Sequence, residues 1–310
     1  MARRRTVLGL SAVVALAAVL LAAAVLALGT VADGVAETAT SIPEGPTGPL
    51  RDEVLDGTPH PRPDRYEPAF AEEFDDDLDD DVWGTCHWWQ AVGCTIESND
   101  EQQLYFPDNV EVDDGTLRLE ARKEPVEDKD GEEYPYTSGM VTTAAPAYEE
   151  DARYDFTYGF VEARLRLPEG QGLWPAFWLL PARQESRPEI DVLETLGHRP
   201  DRAELHYHYV DADGEEASVG TDWTDPGLAD GDWHEVAVHW EPGRITWIID
   251  GRARWEVRGD EVSDEPMYLV LNLAVGGDWP GDPDETTDLP ATVEADWIRV
   301  WQDPAFEGAT

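Results

Sequence analysis

Lysine is all but missing from this 310-residue chain: Lys123 and Lys129 are the only two, and lysine plus arginine total 22 against 67 aspartates and glutamates. The formal charge of −45 excludes nucleic acid and anionic lipid as partners, because a field of that sign repels phosphate. Acid excess with so little lysine reads as a hydrated surface suited to high salt, where screening shortens repulsion to a few Å. Cysteine is as scarce. Cys86 and Cys94 allow one disulfide at most, and in an exported chain that bridge would close a short loop; two unpaired thiols are the alternative. Beyond the first 32 residues no stretch carries three turns of helical periodicity, and no internal repeat is visible.

What is present falls into three parts. In residues 1–32, Arg3, Arg4 and Arg5 precede an apolar run from Val7 to Leu28, a charged region followed by a hydrophobic core that reads as an export signal. "RRTVL" resembles a twin-arginine signal. The run exceeds the roughly 7–15 residues of an ordinary signal core and is long enough to span a bilayer, so residues 7–28 serve equally as a cleaved signal or a membrane anchor. Either way the basic end stays inside and the acidic bulk goes outside. The expected location is extracellular, secreted or held on the outer face of the membrane. Residues 33–65, with "SIPEGPTGPL" and "DGTPHPRPDRYEP", have the Pro/Gly-rich, apolar-poor composition of a flexible linker. Residues 66–310 read as one folded domain, expected as a monomer.

Within that domain short apolar and aromatic runs alternate with polar residues and are separated by turns: "GTLRLEA", "GFVEARLRL", "HEVAVHW", "RITWIID", "MYLVLNLAV", "DWIRVWQ". Strands at this spacing without intervening helices predict an all-β antiparallel sandwich or barrel. Asp250-Gly251, between two alternating runs, marks a tight hairpin.

"PEIDVLETLGH", residues 188–198, sets Glu189, Asp191 and Glu194 in an apolar strand. Alternation puts Glu189 and Asp191 on one face and Glu194 on the other; one extra residue, a β-bulge, would return Glu194 to their face. Like charges that close cannot all ionise, so at least one carboxyl stays protonated. A protonated acid beside an ionised one is what retaining glycoside hydrolysis uses, one carboxylate attacking the anomeric carbon and the other protonating the leaving oxygen. A Ca²⁺ site or a solvated acid face are the alternatives on spacing alone. Upstream, "GQGLWPAFWLLP" carries Trp174 and Trp178 four apart, suited to stacking on sugar rings or to a core; downstream, "ELHYHYV" puts His206 and His208 on one strand face. "GGDWPGDP" presents Trp279 from a glycine-rich loop.

"EIDVLE" resembles the E-x-D-x-x-E signature of family 16 of the glycoside hydrolases, in the bulged form of its laminarinase and endo-β-1,3(4)-glucanase branch. "SNDEQQLY", "YTSGMVTTA", "YGFVEARLRLPEGQGLWPAFWLLP", "YLVLNLAVGGDWPG" and "ADWIRVWQ" resemble further family segments in the same order, over roughly residues 69–302. The resemblance implies a β-jelly-roll sandwich of the concanavalin A-like kind with an open concave cleft, and retaining endo-hydrolysis of a β-1,3- or mixed β-1,3/1,4-glucan without a catalytic cofactor. It assigns Glu189 as nucleophile, Glu194 as general acid/base and Asp191 as the residue that hydrogen-bonds the nucleophile. Trp174, Trp178, His208, Asn99, Glu101, Arg164 and Trp279 fall on its substrate-cleft positions. Many members carry a structural Ca²⁺ on the convex side, for which Glu73 and Asp296 match loosely. Pro188 stands where that branch usually has glycine, and "ETLGHRPDRAELHYHY" is closer to members acting on bacterial exopolysaccharides. Other polymers such as agarose or carrageenan, glycosyl transfer in place of hydrolysis, and a non-catalytic lectin-like module therefore stand as alternatives. "TCHWWQAVGC", which holds both cysteines, matches none of these family segments and is expected as a pinned loop that reshapes the cleft.

Overall fold

The computed structural model describes residues 45–90 and 93–306. The segment expected as a signal or anchor, residues 1–32, lies outside them, as does the first part of the expected linker. No helix among the described residues is long and apolar enough to cross a membrane; the helical content there is three single 3₁₀ turns, at Glu97–Asn99, Pro107–Asn109 and Pro304–Phe306.

Alternation of apolar and polar residues builds two stacked antiparallel sheets, as expected for a jelly-roll sandwich. The outer sheet runs β1 (Arg51–Val54), β17 (Arg252–Arg258), β16 (Arg244–Ile249), β15 (His234–Glu241), β10 (Gly159–Arg166), β19 (Ala291–Gln302), β5 (Thr116–Ala121), β4 (Val110–Asp113), and β2 (Glu67–Glu72) also pairs with β19. The inner sheet runs β14 (Glu216–Thr224), β13 (Arg202–Val210), β12 (Glu189–Thr195), β11 (Leu173–Pro181), β18 (Met267–Val275), β9 (Met140–Thr142). Two short pairs complete it, β3 (Gln103–Tyr105) with β8 (Tyr136–Ser138) and β6 (Val126–Glu127) with β7 (Glu133–Tyr134). The core lies between the sheets and includes the fully buried Trp240, Trp247 and Trp255. The expected hairpin is present: Asp250 and Gly251 both adopt positive φ, 52° and 70°, the backbone of a type I′ turn.

The linker expectation needs correction over its second half. Arg51–Val54 is an edge strand antiparallel to β17. The pairing continues through Leu55 N–H to the Arg254 carbonyl (2.8 Å) and His60 N–H to the Gly251 carbonyl (2.9 Å). Composition misled because an edge strand needs little apolar surface of its own: β17 offers unpaired backbone groups, and any extended segment can satisfy them.

Candidate active site

Strand β12 pairs with β13 so that Glu189 faces His208, Asp191 faces His206, and Glu194 faces Glu204. Three steps along β12, from Asp191 to Glu194, therefore match two along β13. Against β11 the same slip appears, with Trp178 opposite Asp191 and Phe177 opposite Leu193. This is a β-bulge. It turns Ile190, Val192 and Leu193 into the core and leaves Glu189, Asp191 and Glu194 together on the cleft. The bulge is pinned from beneath: the indole N–H of Trp247, on β16 of the opposite sheet, donates to the Asp191 carbonyl at 2.7 Å.

Each carboxyl has its own partners. The Arg187 guanidinium donates to Glu189 Oε2 at 2.9 Å. His208 Nε2 lies 3.2 Å from Asp191 Oδ2 and 3.7 Å from Glu189 Oε1. Glu194 accepts from the Trp174 indole at 3.0 Å and meets His206 Nδ1 at 2.9 Å. Burial is the main cause of the electrostatics. It pushes Glu189 up to about 7, aided by the charge of Asp191, while Arg187 and His208 pull it back. Glu194 is pushed up to about 8 by burial and the nearby Glu189 and Glu204, against the opposing Trp174 hydrogen bond. Asp191, 2% exposed, is raised by burial and by Glu194, and burial holds the His208 ring below its ordinary value. The three carboxyls thus cannot be charged together at neutral pH.

The surrounding cleft, of about 950 Å³, is lined by the expected Trp174, Trp178, His208, Asn99, Glu101 and Trp279. Trp178 lies at its floor, its indole N–H on Asn272 Oδ1 (2.7 Å), and Asn272 in turn donates to the Tyr105 hydroxyl (2.9 Å). Glu101 is buried and accepts from Asn99 (3.0 Å) and Gln103 (2.7 Å), so it fixes the wall that Asn99 presents. Trp279 stands edge-on to Trp174, with ring centroids 5.2 Å apart. Its loop reaches Asn99 closely: Asp278 N–H bonds the Asn99 carbonyl at 2.9 Å. A Cβ at Gly277, where φ is +116°, would come within 2.6 Å of that oxygen.

Arg164 is not in the cleft. Strand alternation places it with Glu162 and Arg166 on the solvent face of β10, where it pairs with Asp296 (2.5 Å) and lies over Trp233. The calcium expectation also meets a different arrangement. Glu73 is held by both arms of Arg299 at 2.7 Å and Asp296 by Arg164. Their side-chain oxygens face guanidinium groups, and the pair does not fit a cation. Asp191, His206 and His208 bring one ligand-type atom each within 4.8 Å of one another, a spacing compatible with a metal ion, but both imidazoles already face the glutamates. Cys86 and Cys94 form the disulfide.

Sequence reasoning missed Arg187 and Asn272 and ranked His206 below His208. Asn272 had a signal, as the single amide in the nine-residue buried run "MYLVLNLAV".

The profile of glycosyl hydrolases family 16 matches residues 97–299. A β-glucanase of Rhodothermus marinus is 30% identical over 286 residues, covering 80% of this chain and 87% of that protein. The endo-1,3-1,4-β-glycanase ExsH of Rhizobium meliloti is 34% identical over 71% of this chain, which spans only 47% of that longer protein. Among solved structures, the laminarinase catalytic domain of Thermotoga maritima is 31% identical with a TM-score of 0.66, over 77% of this chain and 98% of that one.

Proposed function

The chain belongs to family 16 of the glycosyl hydrolases, and from that premise we propose that this glucan endo-hydrolase is exported and cleaves β-1,3- or mixed β-1,3/1,4-linkages with retention through Glu189 and Glu194. The observation that carries the reading is the bulge in β12, which gathers three carboxyls on one cleft face in unequal surroundings.

Those surroundings divide the labour. Glu189 has a guanidinium at 2.9 Å, which favours its carboxylate and suits the nucleophile. Glu194 sits higher, at about 8 against about 7, so it keeps the proton when Glu189 has lost its own. Glu189 attacks the anomeric carbon while Glu194 gives its proton to the departing glycosidic oxygen, and a glycosyl ester forms on Glu189. Water then enters, Glu194 takes its proton, and the C–O bond to Glu189 breaks with a second inversion. Asp191 is buried between them, with Oδ2 3.2 Å from His208 Nε2; once protonated it would offer a proton toward the nucleophile. Trp174 orients Glu194 through its indole N–H. The acidic shell favours a neutral polymer, since a chain of −45 repels an anionic one at low salt. The stretch "ETLGHRPDRAELHYHY", closer to members acting on bacterial exopolysaccharides, favours an uncharged exopolysaccharide as a second substrate. The apolar run at residues 7–28 is the reason to place the enzyme outside the cell, free or anchored.

A polysaccharide panel including laminarin and lichenan, with product chromatography at high salt, tests the assignment. New reducing ends of intermediate length are expected. Glu189→Gln should retain the fold and lose at least about three decades of kcat, about 4 kcal/mol of transition-state stabilisation; a variant as active as its parent removes Glu189 from the mechanism.

A further inference from the structure

The disulfide-closed loop takes no part in the chemistry above, yet it carries His87, Trp88 and Trp89 to the cleft rim. Its base is rigid. Gly84 and Thr142 exchange both backbone hydrogen bonds (2.8 and 2.9 Å), and Tyr105 N–H bonds the Cys94 carbonyl at 2.8 Å. Within the loop Thr95 N–H bonds Gln90 Oε1 at 3.0 Å. His87 is buried and meets the edges of Tyr105 and Trp178, each at 6.2 Å. Trp89 lies flat on His87, with centroids 4.1 Å apart and planes 7° apart. Trp88 meets Trp89 edge-on at 5.2 Å and lies 5.8 Å from Tyr148. A stack thus runs from the cleft floor through His87 to one open indole face.

Trp89 is 40% exposed and Trp279 is 39% exposed. Among the described residues these are the exposed tryptophans, and both line the same cleft. Their places differ. Trp279 packs against Trp174 and His206, the two partners of Glu194. The Trp88–Trp89 pair adjoins Tyr148, whose neighbour Glu149 donates its N–H to Gln184, in the segment that leads to Arg187 and Glu189. A large apolar ring left half in water on a pre-ordered backing is a contact surface awaiting a ligand.

We propose that Trp89, backed by His87, is the stacking platform for a pyranose ring of the bound polysaccharide, on the far side of Glu189 from Trp279. The enzyme then grips a chain long enough to reach both tryptophans. The proposal rests on the glycanase reading and adds to it a preference for long substrates that this loop confers.

The test compares KM and kcat on the best-cleaved polymer with those on an aryl glycoside of the matching disaccharide, too short to reach both tryptophans. Trp89→Ala should raise KM for the polymer about tenfold, the loss of one stacking contact of about 1.4 kcal/mol, with kcat unchanged and the short substrate unaffected. Trp89→Tyr keeps a flat face and should behave as the parent; Trp89→Leu keeps apolar bulk without the face and should behave as the alanine variant, which guards against a folding artefact. Equal KM changes on long and short substrates, or none on either, sink the platform while the active parent leaves the glycanase reading standing. A parent that cleaves no polymer of the panel overturns both.

Discussion

The proposed mechanism needs one protonation state of the pair, with Glu189 ionised and Glu194 protonated. Below about 7 the nucleophile regains its proton, and above about 8 the acid loses its own. The profile of kcat/KM should therefore be a narrow bell with limbs near those values, belonging to the coupled pair and not to either residue alone. Arg187→Met removes the cation that favours the Glu189 carboxylate, so the acid limb should move to higher pH, and Arg187→Lys should restore it. An optimum near pH 5, or an acid limb unmoved in Arg187→Met, contradicts this. The acids themselves were legible in the sequence because residue type and parity are both written there. Arg187 was not. It stands at an even offset from Glu189, but Pro188 lies between them, and register across a proline is not readable from alternation. His206 was visible on the same face as His208, yet which acid each imidazole meets depends on the slip between β12 and β13, a property of two strands together.

At the scale of elements, the site depends on one extra residue in β12. At the bulge the Trp247 indole, from the opposite sheet, donates to the Asp191 carbonyl at 2.7 Å. Trp247→Phe keeps most of the packing against Trp255, whose ring centroid is 4.3 Å away, but takes this donor from a buried carbonyl. The expected cost is about 1–3 kcal/mol, or about 2–12 °C in Tm for a domain of this size, with kcat falling further than KM rises as the carboxyls lose their fixed spacing. Calorimetry beside kinetics checks both, and a Tm unchanged from the parent's would mean that the bond does not hold the bulge. Parity placed Glu194 on the face opposite Glu189, so a bulge was the condition for the two to share a cleft, and the bulged form came from the family resemblance. Parity applied to β10 would equally have placed Arg164 on the solvent side with Glu162 and Arg166; likeness to the family placed it in the cleft instead. Strand β1 escaped notice because its stability comes from the edge of β17, which its own residues do not encode.

For the whole molecule the dominant quantity is charge. The 22 lysines and arginines can offset only 22 of the 67 acidic charges, so 67 − 22 = 45 remain uncompensated however the surface is arranged. Added salt acts in two opposed directions. It weakens ion pairs such as Arg299–Glu73 and Arg118–Glu294, each worth about 0–1 kcal/mol when solvent-exposed, and it screens repulsion among the unpaired majority. Because unpaired acids outnumber the pairs, screening should win, and we propose that the fold gains stability with salt. The form of the gain separates screening from salting-out. The Debye length falls from about 10 Å at 0.1 M to about 3 Å at 1 M, so the electrostatic gain is nearly complete by 1 M, whereas exclusion of salt from apolar surface keeps growing beyond it. In potassium chloride, Tm should rise by at least about 5 °C between 0.1 and 1 M, about 2 kcal/mol for a domain of this size, and then climb more slowly. A flat or falling Tm over that first interval would show that the acidic shell is already relieved by its arginine pairs. A rise that is linear to 3 M would assign the effect to the core and not to the charge.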